Sequence, residues 1–199
     1  MNPYGQAGWP SQGSSSQYPT ISPSIYGALP SSGGGSSSSD DYLLSFHFAC
    51  NPTITNAVVT GPNNRTYFRI IDNNPSAGFT LFQNGEGKSV AIIEWRRSPG
   101  TIVEIRNIVE KQPVAAWLSL SPDKTYRIMK ARNMTLAWVP RNDFVGLFST
   151  GTSAVECYAK IIRGEGYVTL QMTSRAAQLG LLEPCVVAAV LLQSGRKID

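Results

Sequence analysis

The chain has a single histidine, His47, and few other residues that are typical of catalysis or metal binding. Metal sites and most nucleophilic or acid–base mechanisms use histidine. His47 and Ser45 fall in an alternating run, which is typical of a surface or half-buried strand. Glu94 and Glu104 also stand singly within alternating runs. The sequence therefore predicts no catalytic residue, no metal ligand and no cofactor, and a protein that is not an enzyme.

A Gly-Lys-Ser tripeptide at 87–89 matches only the end of a nucleotide phosphate loop. That loop needs a further glycine five residues earlier, where this chain has Phe82, and a helix after it. Here the flanking residues are strand-like, and Asn84-Gly85 is typical of a hairpin turn. We therefore reject a nucleotide site.

Positive charge is concentrated between residues 124 and 141, and this stretch is the candidate for binding. Such cations could hold anionic lipid headgroups or nucleic-acid phosphates, although solvated strand faces explain the same pattern. The tryptophans Trp95, Trp117 and Trp138 lie in apolar contexts, so we expect them in the core and not as a stacking platform for bases. The candidate anion- or lipid-binding residues are Lys124, Arg127, Lys130, Arg132 and Arg141.

The first 39 residues contain no Asp, Glu, Lys or Arg and consist mainly of Ser, Gly, Pro and Gln. Such a segment buries too little apolar surface to offset the entropy of ordering it. This predicts a disordered tail over 1–40 and one folded domain over 41–199. The three widely spaced cysteines indicate reduced thiols, and the N-terminal residues lack the pattern of a secretory leader, so we expect no secretion. We expect a cytoplasmic protein, with the membrane surface and the nucleus as other locations.

From residue 42 onward, apolar residues recur with a period of two in short runs separated by turn signals. Turns about ten residues apart are typical of a β-sandwich or barrel. A short helix opened by Pro113 is expected over 113–118, and a tight hairpin over 163–166. The predicted strands cover 42–48, 53–60, 66–71, 79–83, 89–96, 102–108, 125–129, 135–139, 144–148, 155–162 and 167–172.

The segment from Cys185 to Leu192 has no polar side chain, so it belongs at the centre of a protein or in a membrane. A membrane span needs about twenty apolar residues, and this run is too short. Pro184 suits the first turn of a helix, and Gly195 suits its end. We expect a core helix over 183–193, with a buried strand as the alternative. The predicted fold is mainly β, an antiparallel barrel of about 10–12 strands around a central apolar C-terminal helix.

Several short motifs, in this order and spacing, resemble an uncharacterised family of domains of unknown function that is abundant in mushroom-forming fungi. That family is related to the tubby-like fold of tubby C-terminal domains, phospholipid scramblases and LURP-one-related proteins. The resemblance implies a closed antiparallel barrel of about twelve strands around a central helix, and no activity. Pro184 and Ala188 depart from the family pattern. The motifs are Tyr42-x-x-x-Phe46, the segments 51–56, 67–70, 80–82 and 91–95, Val114-x-x-Trp117-Leu118, Leu136-x-Trp138 and the apolar end.

Together these features predict a non-catalytic intracellular binding module that recognises anionic lipid headgroups at a membrane surface. The alternative is a protein–protein interaction or scaffolding domain with a flexible recruiting tail. The expected partners are anionic phospholipids or a protein, not nucleic acid, and no transmembrane span is expected.

Overall fold

The structure is a computed structural model that describes residues 43–72, 78–96, 98, 100–151 and 155–199. The predicted tail over 1–40, its boundary and Tyr42 lie outside the described residues.

The described part of the chain consists mainly of β-strands, as predicted, with three short α-helices and a 3₁₀ turn at Pro62–Asn64. The helices are α1 (Val114–Trp117), α2 (Ser174–Gln178) and α3 (Leu182–Gln193). The strands are β1 (Leu43–Cys50), β2 (Ala57–Thr60), β3 (Thr66–Asp72), β4 (Phe79–Asn84), β5 (Ser89–Glu94), β6 (Ile102–Ile105), β7 (Val109–Pro113), β8 (Leu118–Leu120), β9 (Arg127–Ala131), β10 (Met134–Pro140), β11 (Val145–Ser149), β12 (Cys157–Gly164) and β13 (Tyr167–Thr173).

All thirteen strands form one antiparallel sheet, in the order β7-β6-β5-β4-β3-β2-β1-β13-β12-β11-β10-β9-β8. The sheet consists of two meanders, β1–β7 and β8–β13, in which neighbours in sequence are neighbours in the sheet. Pairing of β1 with β13, from Leu43↔Thr173 to Ala49↔Tyr167, joins them. The first and last of the described strands therefore lie at the middle of the sheet.

Alternation of side chains decides which face of each strand is buried. In β1, Phe46 and Phe48 are buried whereas His47 and Ala49 are exposed, as the period of two predicts. The hairpin at 163–166 is also confirmed, since β12 and β13 pair up to Gly164↔Tyr167. Gly166 supplies the positive φ, 76°, that this tight turn needs.

Helix α3 is buried on every side, because all residues from Pro184 to Leu191 are buried. It packs against β13 and β5, which are five places apart in the sheet. At about 4.8 Å per strand, a flat sheet would hold them some 24 Å apart. The sheet must therefore curve around α3, which confirms the predicted core helix and excludes the strand alternative.

The predicted closure into a barrel is wrong, because the edge strands β7 and β8 do not pair. With thirteen strands, all pairs antiparallel, the two edge strands point in the same direction. Parallel neighbours need a connection of about a dozen residues or more, but only the four residues of α1 separate β7 from β8. Helix α1, predicted from Pro113, forms that connection and leaves the sheet open.

Several other elements differ from the sequence expectations. Strands β7 and β8 and helix α2 were not predicted. In the run predicted over 53–60, only Ala57–Thr60 is a strand. The preceding residues form a turn with a cis Asn51–Pro52 bond, in which the Asn51 amide donates to the Asn56 carbonyl at 2.7 Å. This turn uses backbone hydrogen bonds that a strand would have given to a neighbour.

Candidate binding site at the open edge of the sheet

A cleft of about 830 Å³ lies between edge strand β7 and the β9–β10 hairpin, where the sheet stays open. We call it the open-edge cleft. Val109, Glu110 and Gln112 of β7 line one side, Ala116 and Trp117 of α1 contribute from the connection, and residues 130–135 line the other side; Asn107 and Ile108 complete the lining.

Two strand edges without strand partners meet this cleft. Among the described residues, β7 pairs only with β6, so no described strand covers its outer edge. On the other side, β8 reaches no further along β9 than the pair Leu118↔Met129, so within the described ranges no strand covers β9 at Lys130 and Ala131. The Trp117 indole Nε1–H donates to the Lys130 carbonyl at 2.9 Å, so a side chain satisfies one acceptor that a strand would otherwise have used.

The lining alternates between an apolar floor and a charged rim. Val109, Trp117 and Ala131 are buried and form the floor. Glu110 and Lys130 are exposed neighbours of floor residues and lie at the rim. This follows directly from the period of two on each strand.

The tip of the β9–β10 hairpin brings Arg132 to the same cleft. Ala131 pairs with Met134, so Arg132 and Asn133 form a two-residue turn, with φ of 51° and 61°. Positive φ at both central positions is typical of a type I′ turn, which suits the twist of the strands. The Arg132 guanidinium lies beside Gly180, where an added Cβ would be 3.1 Å from Nε.

The structure divides the five predicted cations between the two ends of β9 and β10. Lys130 and Arg132 both line the cleft. Lys124 lies in the turn before β9, and Arg141 follows the other end of β10, with its guanidinium 5.6 Å from the Phe148 ring centroid. A strand of seven residues spans about 24 Å, so the cations do not meet on one surface.

Arg127 is already occupied by the C-terminal segment. Its two terminal nitrogens donate to the Asp199 carboxylate at 2.9 and 2.5 Å, and one of them also donates to the Leu118 carbonyl at 3.0 Å. The hydrogen bond from Arg127 holds the pKa of Asp199 below its usual value. Lys130 and Arg132, by contrast, have no carboxylate within ion-pair distance among the described residues.

The last residues of the chain bind to the end of the sheet opposite the open-edge cleft, and the sequence did not indicate these contacts. The Thr101 hydroxyl donates to the Lys197 carbonyl at 3.2 Å, and Arg196 donates to Asp72 at 2.8 Å. The Arg196 guanidinium also stacks 4.8 Å from the Trp95 ring centroid. We call residues 194–199 the C-terminal strap.

The other residues considered for chemistry have ordinary surroundings. His47 is exposed, with Nδ1 3.1 Å from the Thr169 hydroxyl. Glu94 accepts from Lys111 and Arg96, and the Lys111 hydrogen bond lowers its pKa most. Burial raises the pKa of the Cys185 thiol, which disfavours a reactive thiolate. Among the described residues, no group of three or more potential ligands could hold a metal ion.

Trp117 and Trp138 lie in the core, as predicted, whereas Trp95 is partly buried against it. The Trp95 indole donates to the Thr80 hydroxyl at 2.8 Å. Within the described ranges, the helices are too short or too polar to cross a membrane.

No protein-family model matches this chain, and no curated protein matches it. An X-ray structure of an Arabidopsis thaliana protein, AT5G01750, is similar at 11% sequence identity and a TM-score of 0.40, over 76% of this chain and 93% of that one. A similarity this low leaves the family open, so the resemblance to the fungal domain family and its tubby-like fold stays a prediction.

Proposed function

We propose that this protein is a non-catalytic binding module and that it holds an extended segment of a partner protein in the open-edge cleft. The observation that carries this proposal is the pair of strand edges that face one cleft and have no strand partner in the part of the chain that the structure describes. A free edge is a ready template for an added strand. In such complexes main-chain hydrogen bonds supply affinity and side-chain pockets supply specificity.

The cleft has the size and chemistry for such a ligand. Its volume of about 830 Å³ lies in the range of ordinary ligand sites. Val109, Trp117 and Ala131 make the floor apolar but have little exposed surface, so the strand edges and the charged rim offer most of the contacts. Of the two functions that the sequence predicted, protein binding therefore has the stronger support.

A blocking variant tests this proposal. Ala116 is exposed and lines the cleft, whereas its neighbour Ala115 is exposed but does not line it. Short random peptides displayed on phage would be selected on the wild-type protein. We expect selected peptides to bind wild type and Ala115→Trp equally, and to lose at least about tenfold in affinity for Ala116→Trp, equivalent to 1.4 kcal/mol.

Thermal unfolding of both variants would verify that each is folded. If selection yields no specific binder, or if the binders tolerate Ala116→Trp as well as Ala115→Trp, the cleft is not a peptide site.

The second candidate is recognition of anionic lipid headgroups, which the pair Lys130 and Arg132 favours. Both cations line one polar opening, and basic groups of this kind attract anionic membranes. Its test is flotation with liposomes that contain phosphoinositides, at low and high salt. Lipid recognition through the whole basic stretch predicts weaker binding for Lys124→Glu as well as for Lys130→Glu. Absence of salt-sensitive flotation would contradict it.

We also infer that the fold is of the tubby-like kind and that the protein acts in the cytoplasm, at a membrane surface or in the nucleus. The buried helix α3 inside a curved antiparallel sheet supports the tubby-like fold. The unbridged thiols of Cys50, Cys157 and Cys185 support a reducing compartment. Experimental structures of close homologues and fluorescence localisation would test these two inferences.

A further inference from the structure

We propose that the segment bound in the open-edge cleft is an extended strand in which apolar residues alternate with acidic ones. This inference rests on the proposed function, and it adds the chemical class of the partner.

The floor of the cleft determines the apolar positions of the bound strand. Val109, Trp117 and Ala131 are 5%, 2% and 4% exposed, so little of them remains open to water. A strand laid between β7 and β9 would direct every second side chain toward this floor. Polar side chains there would lose their hydration without a hydrogen-bond partner, so apolar side chains are favoured.

The rim of the cleft determines the acidic positions of the bound strand. Lys130 and Arg132 offer two positive charges without carboxylate partners among the described residues, against the single negative charge of Glu110. Lys111, also on β7, already pairs with Glu94. Carboxylates on the outward side of the bound strand would neutralise the excess positive charge, and complementary charges select partners more than they add affinity.

The composition of β7 supports a selective site. Glu110, Lys111 and Pro113 place charges and a proline on the edge strand. Such residues discourage unspecific strand addition. A segment that does bind must therefore compensate the charges it meets. The stretch Val109–Gln112 spans about 13 Å at 3.3 Å per residue, which corresponds to about four residues of bound strand.

The test uses the charge of selected peptides. Displayed random peptides would be selected separately on wild type, on the double variant Lys130→Glu/Arg132→Glu and on Lys124→Glu. The last variant reverses one charge of the same basic stretch at the opposite end of β9, outside the cleft. We expect Asp and Glu at alternate positions for wild type and Lys124→Glu, and Lys and Arg at those positions for the double variant.

One selected acidic peptide would then be synthesised with Glu and with Gln at those positions. Fluorescence anisotropy should show roughly three- to tenfold weaker binding for the Gln peptide on wild type. Peptides that carry no acidic bias, yet lose binding on Ala116→Trp, would overturn this inference and leave the proposed function standing. Failure to select any peptide that responds to Ala116→Trp would overturn both.

Discussion

The two ends of β9 carry similar basic residues in opposite situations. At one end, Arg127 is only 16% exposed and bound to Asp199 in the C-terminal strap. At the other end, Lys130 and Arg132 line an open cleft and have no carboxylate partner among the described residues. A basic residue near the other cations in sequence can therefore be tied into the fold or lie open in a cleft. Its role depends on which distant segment reaches it.

The largest expected effect is from Val187→Asp, which places a charge inside α3, the buried helix of the core. Val187 is 1% exposed. A buried unpaired charge costs several kcal/mol, a large part of the 5–15 kcal/mol that stabilises a typical domain. We expect an unfolded protein by circular dichroism. Val155→Asp, at a position 76% exposed, should leave the fold intact; a folded Val187→Asp would contradict the buried helix.

The next largest effect is a difference in stability between variants at the two ends of β9. Arg127→Ala removes the pair with Asp199 and the hydrogen bond to the Leu118 carbonyl, so we expect a loss of about 1–3 kcal/mol in the free energy of unfolding. Lys130→Ala should change it by less than about 0.5 kcal/mol. Urea unfolding of both variants measures this difference. Equal losses in the free energy of unfolding would mean that Arg127 and Lys130 contribute equally to stability, which would contradict this comparison of the two ends of β9.

Trp117→Phe keeps an aromatic ring in the core but removes the donor to the Lys130 carbonyl. We expect a loss of about 1–2 kcal/mol in the free energy of unfolding, measured by urea titration. Since the freed acceptor lies on the edge that faces the cleft, the affinity for selected peptides should not fall by the tenfold expected for Ala116→Trp. A parallel loss in peptide affinity would indicate that Trp117 matters for binding beyond its place in the floor.

The smallest expected effect is a pH dependence from Asp199. Because its pKa is lowered by Arg127, its contribution to stability is present above the ordinary value of 3.8 and is lost as the pH falls through the lower folded value. The carboxylate is 44% exposed, so solvent screening limits the contribution to less than about 1 kcal/mol. Urea unfolding between neutral and acidic pH should show this loss in wild type and not in Arg127→Ala.

Features that depend on a few neighbouring residues could be predicted from the sequence. Alternation located most strands, as the buried Phe46 and Phe48 around the exposed His47 illustrate. The run without polar residues located α3, and Pro113 located α1. Strand β7 was not predicted because apolar and polar residues hardly alternate in its sequence, Val-Glu-Lys-Gln-Pro. Such a composition suits an edge strand that is buried on one side only.

Features that depend on distant residues could not be predicted. Arg127 and Asp199 are 72 positions apart, and no local pattern announces their pairing. The sheet stays open because its two edge strands point in the same direction and only the four residues of α1 connect them. Since the sequence pattern did not reveal β7 and β8, a count of about ten to twelve strands could not distinguish an open sheet from a closed barrel. The sequence also could not show that β9 and β10 hold the basic residues apart. It therefore grouped Lys124 and Arg141 with Lys130 and Arg132.

The pairing of β1 with β13 has a consequence for synthesis on the ribosome. His47 and Thr169, hydrogen-bonded neighbours across these strands, are separated by 122 positions. The first meander can form as soon as β7 has emerged, but one edge of β1 stays uncovered until β13 is made. Helix α3, which fills the core, emerges only after all thirteen described strands. Nascent chains should therefore remain open to chaperones and proteases until β13 and α3 have been translated, and only then complete this sheet and its core.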